Sequence, residues 1–148
     1  MESDLYQQLI MNHYREPHNH GKLDPCTCHA FGKNPLCGDE VSVYCIVDQN
    51  ILKTVQFEGA GCAISQAAAS MMTEMVSQMQ VDDLYDLYER IDQILKGELE
   101  SGELSGELEH AYAAIAQFPM RTKCARLPWK TLVNALQGKT ENISTEND

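Results

Sequence analysis

Val41-Ser42-Val43-Tyr44-Cys45-Ile46-Val47, Asp48-Gln49-Asn50, Ile51-Leu52-Lys53-Thr54-Val55-Gln56-Phe57-Glu58 and Gly59-Ala60-Gly61-Cys62 follow one another without a break, and this stretch decides the fold. Val41, Val43, Cys45 and Val47 fall on one side of an extended chain, and Ser42, Tyr44 and Ile46 on the other. Asp48-Gln49-Asn50 is a turn, so Ile51 to Glu58 is expected to pair back as the second strand of a hairpin. Gly59-Ala60-Gly61 ends the strand pattern. Ala63 to Met79 has no Gly or Pro, is rich in Ala, Met, Gln and Ser, and reads as a helix. Met71, Met75 and Met79 recur at helical spacing and read as core.

Working outward, Ser3 to Arg15 reads as a helix capped by Ser3 or Asp4 and closed by Pro17. His18 to Pro35 contains Gly, Pro, Asn and Asp, and is expected to be a long loop or irregular arm. Val81 to Leu95 reads as a helix with Asp82 and Asp83 at its positive end. Residues 97–108 repeat Gly-Glu-Leu and read as an acidic insert or a broken helix. Glu109 to Gln117 and Pro128 to Leu136 read as two further helices, the second with Pro128 in its first turn. Residues 140–148 are polar and are expected to be a flexible tail. A helix, a small strand group and then several helices make an α+β pattern: a small antiparallel sheet of about three strands with helices packed on one face. The 148 residues fit a single domain spanning 1–148.

Eleven basic against twenty-two acidic residues leave a net charge of −11. That excess argues against nucleic acid and against an anionic membrane surface, both of which need basic footprints. No apolar run has the roughly 20 residues that span a bilayer. Met1-Glu2-Ser3-Asp4 has no basic, then apolar, leader character, so a cytoplasmic location with reduced thiols is expected.

Three of the six cysteines sit in suggestive surroundings: Asn34-Pro35-Leu36-Cys37-Gly38-Asp39, Gly59-Ala60-Gly61-Cys62-Ala63 and Arg121-Thr122-Lys123-Cys124-Ala125. Each places its Cys at an expected junction between elements, and two have Gly beside it, which lets backbone approach a ligand closely. Cys62 falls where a helix should begin, so the helix dipole should favour its thiolate. Arg121 and Lys123 should do the same for Cys124. Cys37, Cys62 and Cys124 with Asp39 would make a four-donor set suited to zinc. The spacing alone leaves open three unconnected core cysteines, because there is no paired C-x2-C. Cys45 reads as a buried small hydrophobe. Cys26 and Cys28 read as incidental loop thiols or as an auxiliary pair for metal or sulfur. His13 reads as a packed or partner-contacting residue, and His18, His20 and His29 as a loop cluster able to take up metal adventitiously.

These segments resemble the SufU/IscU/NifU N-terminal family of iron–sulfur cluster assembly proteins. The resemblance runs from about Leu5 to Leu136. It rests on Asn12-His13-Tyr14-Arg15-Glu16-Pro17, on the three Cys segments in the family's order, and on Leu127-Pro128-Trp129. It implies metal ligation by Cys37, Asp39, Cys62 and Cys124. The IscU-like branch, a scaffold on which a [2Fe-2S] cluster is assembled and transferred, carries His immediately before the last Cys. Here that residue is Lys123, and Gln117-Phe118-Pro119-Met120-Arg121 replaces that branch's Leu-Pro-Pro-Val-Lys motif. The SufU-like branch has Lys at that position, Arg two residues earlier, and an extra segment between the second and third cysteines, as this chain does. Resemblance to SufU implies a zinc-dependent sulfurtransferase. It would accept persulfide sulfur from a SufS-type cysteine desulfurase and pass it to downstream iron–sulfur assembly proteins. Cys37 would be the nucleophile, and Arg121 would steer the partner or stabilise the thiolate. An iron–sulfur scaffold, binding iron as a [2Fe-2S] cluster, is the alternative.

Overall fold

The computed structural model describes residues 2–138 and 143–145. Helix α1 (Glu2–Arg15) leads into β1 (Cys28–Asn34), β2 (Asp39–Asp48) and β3 (Ile51–Ala60). Helices α2 (Ala63–Val76), α3 (Val81–Leu95), α4 (Gly106–Ala116) and α5 (Pro119–Leu136) follow, with a 3-10 turn at Ser101–Glu103 and a two-residue β4 (Ile143–Ser144). The sheet order is β3-β2-β1-β4, antiparallel across the first three strands. The α+β architecture is therefore the one expected.

Alternation in β2 works as the sequence predicts. Val41, Val43 and Cys45 are buried, while Ser42, Tyr44 and Ile46 are only partly covered; Val47, expected on the buried side, is itself only partly buried against the core. In β3 the buried positions change parity, from Leu52 to Val55 and Phe57. The cause is a register irregularity beside Ile46 and Val47: Val47 pairs with Leu52 and Ile46 with Thr54, leaving Lys53 unpaired. One extra residue keeps both ends of β3 apolar towards the same side. There α5 lies on β1 and β2, and α2 on β3 and α5. Each fully buried Leu, Val, Phe or Met there contributes roughly 1.5–3 kcal/mol. Tyr112 and Trp129 anchor the helical layer: the Trp129 indole N–H donates to the Tyr112 hydroxyl at 3.0 Å, which donates to the Ala68 carbonyl at 2.6 Å.

Three local expectations need correction. The segment 18–35 is not all loop, because Cys28–Asn34 is β1, in register against Asp39 to Cys45. Gly32 in this strand lies where an added Cβ would stand 2.1 Å from the Thr131 hydroxyl of α5, so the glycine that looks like a breaker allows a helix to sit on the strand. The helix from Ala63 ends at Val76, not Met79. Gln78 turns left-handed (φ 68°), its N–H reaches the Leu52 carbonyl, and the Met79 carbonyl accepts from Leu52. The last helix starts at Pro119, with Pro128 inside it. Pro128 therefore donates no bond to the carbonyl of Cys124, four residues back. Of the two readings of residues 97–108, the broken helix is the one found: a 3-10 turn at Ser101–Glu103, then α4 from Gly106. Glu109 braces it, accepting from Arg90 Nε and Nη2 at 2.9 Å each and from the Ser105 N–H at 2.8 Å, while Arg90 also donates to the Glu103 carbonyl. Most of the expected tail lies outside the described residues; within it, Ile143 and Ser144 pair parallel with Gly32 and Lys33.

Candidate metal centre

The β1–β2 turn carries Cys37 and delivers Asp39 as the first residue of β2. Gly38 makes the turn at φ 71°, where a side chain would be strained. Asn34, fully buried, shapes it from beneath: its Oδ1 accepts the Leu36 N–H at 3.2 Å, its carbonyl accepts the Cys37 N–H at 3.2 Å, and its Nδ2 lies 3.7 Å from the Cys37 sulfur. Asn34 is a site residue that the sequence reading quoted but did not single out. Its signal was the Asn-Pro pair, which favours a turn.

The other side of the centre comes from the end of β3. Gly61 has φ 124°, and a Cβ there would stand 2.4 Å from Asp39 Oδ1 and 2.7 Å from Asp39 Cα. Gly61 must be glycine for the chain to pass Asp39. It leads into Cys62, the N-cap of α2, whose N–H donates to Asp39 Oδ1 at 2.8 Å. The Cys62 sulfur accepts the Ser65 N–H at 3.4 Å, as a capping oxygen would.

The third contribution is Cys124, which is not at a junction as expected. It lies inside α5, fully buried. Its sulfur lies 3.6 Å from that of Cys37, and the Cys62 sulfur lies 3.7 Å from Asp39 Oδ2. Cys37, Asp39 and Cys124 each offer a donor atom within 4.8 Å of the others, and Cys62 is hydrogen-bonded to both Asp39 and Cys124. Cys37, Asp39 and Cys124 thus form one donor group, with Cys62 beside it on its hydrogen bonds to Asp39 and Cys124. Cysteine sulfurs with one carboxylate are donor types that zinc accepts. Burial is unequal: Asp39 and Cys124 form a closed floor, Cys62 is half-buried and Cys37 is exposed.

The electrostatics divide Cys62 from Cys124. The Cys62 thiol falls to about 6, chiefly because Cys124 donates a hydrogen bond to it, with help from the Ser65 N–H and against the cost of burial. The helix start contributes the Ser65 N–H, but the larger cause is Cys124, which the sequence reading did not foresee. Cys124 moves the opposite way from expectation. Its hydrogen bond to Cys62, its burial and the Asp39 carboxylate push its thiol up. Basic neighbours in sequence do not decide its charge; the anionic groups it touches do.

Arg121 stands one helical turn before Cys124 and is exposed. It borders an apolar groove of about 440 Å³, formed with Ile10, Met11, Ile64, Ile115 and Phe118, which starts next to Cys62. Cys45 is fully buried in β2 and hydrogen-bonded to Cys28, its partner in β1. Neither joins the centre. His20 packs edge-on against Phe57 and His29 stacks on Tyr44, so the expected loop cluster of histidines does not form.

Residues 5–125 match the family described as NifU-like N terminal domain. The chain is 37% identical to the iron–sulfur cluster assembly scaffold protein IscU of Thermotoga maritima, over 90% of this chain and 93% of that protein. It is 35% identical to the zinc-dependent sulfurtransferase SufU of Bacillus subtilis, over 86% of each. The crystal structure of a putative iron–sulfur cluster assembly scaffold protein for the SUF system from Fervidobacterium islandicum superposes with a TM-score of 0.80 at 34% identity, covering 87% of this chain and 94% of that one. With fold, motif order and sequence in agreement, this chain belongs to the NifU-like N-terminal domain family.

Proposed function

We propose that this protein serves iron–sulfur cluster assembly as a zinc-dependent sulfurtransferase that takes persulfide sulfur from a SufS-type cysteine desulfurase. The observation that carries the proposal is the uneven burial of the donor set. Asp39 and Cys124 are closed off, and only Cys37 stands exposed at the rim. One donor can therefore meet a partner while the others stay in place.

Cys37, Asp39, Cys62 and Cys124 would hold the zinc. When bound, it supplies deprotonated thiolates at neutral pH. The Cys37 thiolate attacks the outer sulfur of the partner's cysteine persulfide. A bond forms between Cys37 Sγ and that sulfur, the partner's S–S bond breaks, and the partner's cysteine leaves as thiolate. Atoms and electrons balance without an external oxidant. Asn34 positions the turn and Cys37 within it. Leu36, next in sequence to Cys37, and Phe118, on the groove, are large exposed apolar side chains, a surface suited to a protein partner. Arg121 at the groove offers that partner a cation. Lys123, in place of the scaffold branch's His, supports the same reading.

A second reading is a scaffold for a [2Fe-2S] cluster on the same donors, favoured by the Thermotoga relative's name and identity. Desulfurase turnover separates the two. Strong stimulation by the zinc-loaded protein alone is the result expected here. Stimulation only after zinc removal, or none, would put the scaffold first. The downstream acceptors are then the iron–sulfur assembly proteins that receive sulfur or cluster.

A further inference from the structure

The thiols are not the only donors that the fold gathers. Farther along α2, Glu74 meets His13 of α1 and His18 of the segment that leaves it. Glu74 Oε2 lies 3.4 Å from His13 Nε2 and 3.3 Å from His18 Nδ1. One donor atom of each residue lies within 4.8 Å of the other two, and the two rings lie tilted at 46° with centroids 4.5 Å apart.

The arrangement is held from behind. The Ser70 hydroxyl oxygen accepts the His18 backbone N–H at 2.7 Å and lies 2.7 Å from His13 Nδ1. That contact fixes the His13 ring with Nε2 towards Glu74. A second nitrogen held in this way is what orients a metal-binding imidazole. His13 is 4% exposed, whereas His18 and Glu74 are about half exposed, at 51% and 46%. The result is a fixed floor with an open side. It faces a cavity of about 290 Å³ that Glu16 and Glu107 also line, so further oxygen donors stand near the opening.

We propose that His13, His18 and Glu74 form a second metal site, separate from the thiol cluster, for a divalent first-row transition ion such as Zn2+ or Fe2+. Two imidazoles and one carboxylate suit such ions. They offer too little oxygen for Ca2+ or Mg2+ and no sulfur for Cu+. Three protein ligands leave a position open for water or an exchanging ligand. Glu74 lies about 18 Å farther along α2 than Cys62, at 1.5 Å of rise per residue, so one ion cannot serve both sites. The site would let this chain hold a metal ion without using its thiols.

The test is a titration of the full chain with Zn2+ and, anaerobically, with Fe2+. Imidazole 15N resonances are read together with total metal bound. Ions on the thiols leave the His13 and His18 resonances where they are, so the readout is independent of what the cysteines hold. Saturable shifts of both resonances with one bound equivalent are expected. His18→Ala and Glu74→Ala should each weaken that equivalent by at least about tenfold, since loss of a mere supporting group costs about 10–100-fold. Both residues are half exposed, so the unfolding midpoint should hold. His20→Ala should change nothing. An equivalent that survives both substitutions undiminished, or histidine resonances that do not move with either ion, would overturn the proposal.

Discussion

Six cysteines divide between two regions of this molecule. Cys37, Cys62 and Cys124 converge from a turn, a helix start and a helix interior, around a fully buried carboxylate. Cys28 and Cys45 face each other across two neighbouring strands, with Cys26 just before them, and no carboxylate joins them in a donor group among the described residues. The residue type is the same and the chemistry differs. In the first region, Gly38 turns the chain at φ 71°, Gly61 lets backbone come within touching distance of Asp39, and helix α2 presents the Ser65 N–H to the Cys62 sulfur. In the second, the sheet ladder fixes the spacing, and the hydrogen bond that Cys45 donates to Cys28, together with burial, pushes the Cys45 thiol far up. A thiol becomes reactive through the groups that stabilise its anion: the first region gives Cys62 two donors, Cys124 and the Ser65 N–H, and the second gives Cys28 one, Cys45.

The largest effect should come from the exposed rim. Cys37→Ala is expected to cut persulfide acceptance at least about 100-fold, since loss of a nucleophile removes the step itself. Mass spectrometry of sulfur transferred from a loaded desulfurase reads this directly, and undiminished transfer would place the acceptor elsewhere. The same assay on Cys45→Ala should show no change.

Next comes a contrast in pH. In the metal-free protein, Cys62 should alkylate with a midpoint near pH 6, about three pH units below an unperturbed thiol. The sign follows from a lowered acid: the thiolate persists as pH falls and is lost only on passing about 6. Cys124 and Cys45, both pushed up, should stay inert across the same range. Peptide mapping after brief iodoacetamide exposure distinguishes them. Equal midpoints for Cys62 and Cys45 would erase the contrast between the regions.

A smaller effect tests the backbone. Gly61→Ala must hold a left-handed φ of 124° and push its Cβ into Asp39. A cost of about 1–3 kcal/mol is expected from the conformation alone, together with loss of bound zinc. Chemical denaturation and metal analysis measure the two parts. The smallest effect is Cys45→Ala, about 1 kcal/mol of stability with metal content unchanged. Loss of zinc in that variant would join the two regions into one system.

The hairpin was legible because Val41, Val43 and Cys45 alternate and Asp48-Gln49-Asn50 turns. The centre's donors were legible because Gly-flanked cysteines and an Asp across a Gly carry local meaning. Strand β1 was hidden because Gly32 and Pro35 look like breakers until Thr131 and Leu127 of α5 are seen to need the room. His13 and His18 were placed in different groups because five residues separate them in sequence and Glu74 is far off.

By itself, then, the sequence determined which elements form where periodicity is local, and which side chains could bind metal. Tertiary structure decided what no short stretch encodes. It set Cys124 in mid-helix against Cys62, so that a shared hydrogen bond and a buried carboxylate govern its proton and not the adjacent Lys123. It brought His13, His18 and Glu74 within reach of one another. The physical reason is range. Backbone preference acts over a few residues, whereas charge, burial and ligand geometry depend on distances in space between residues far apart in the chain.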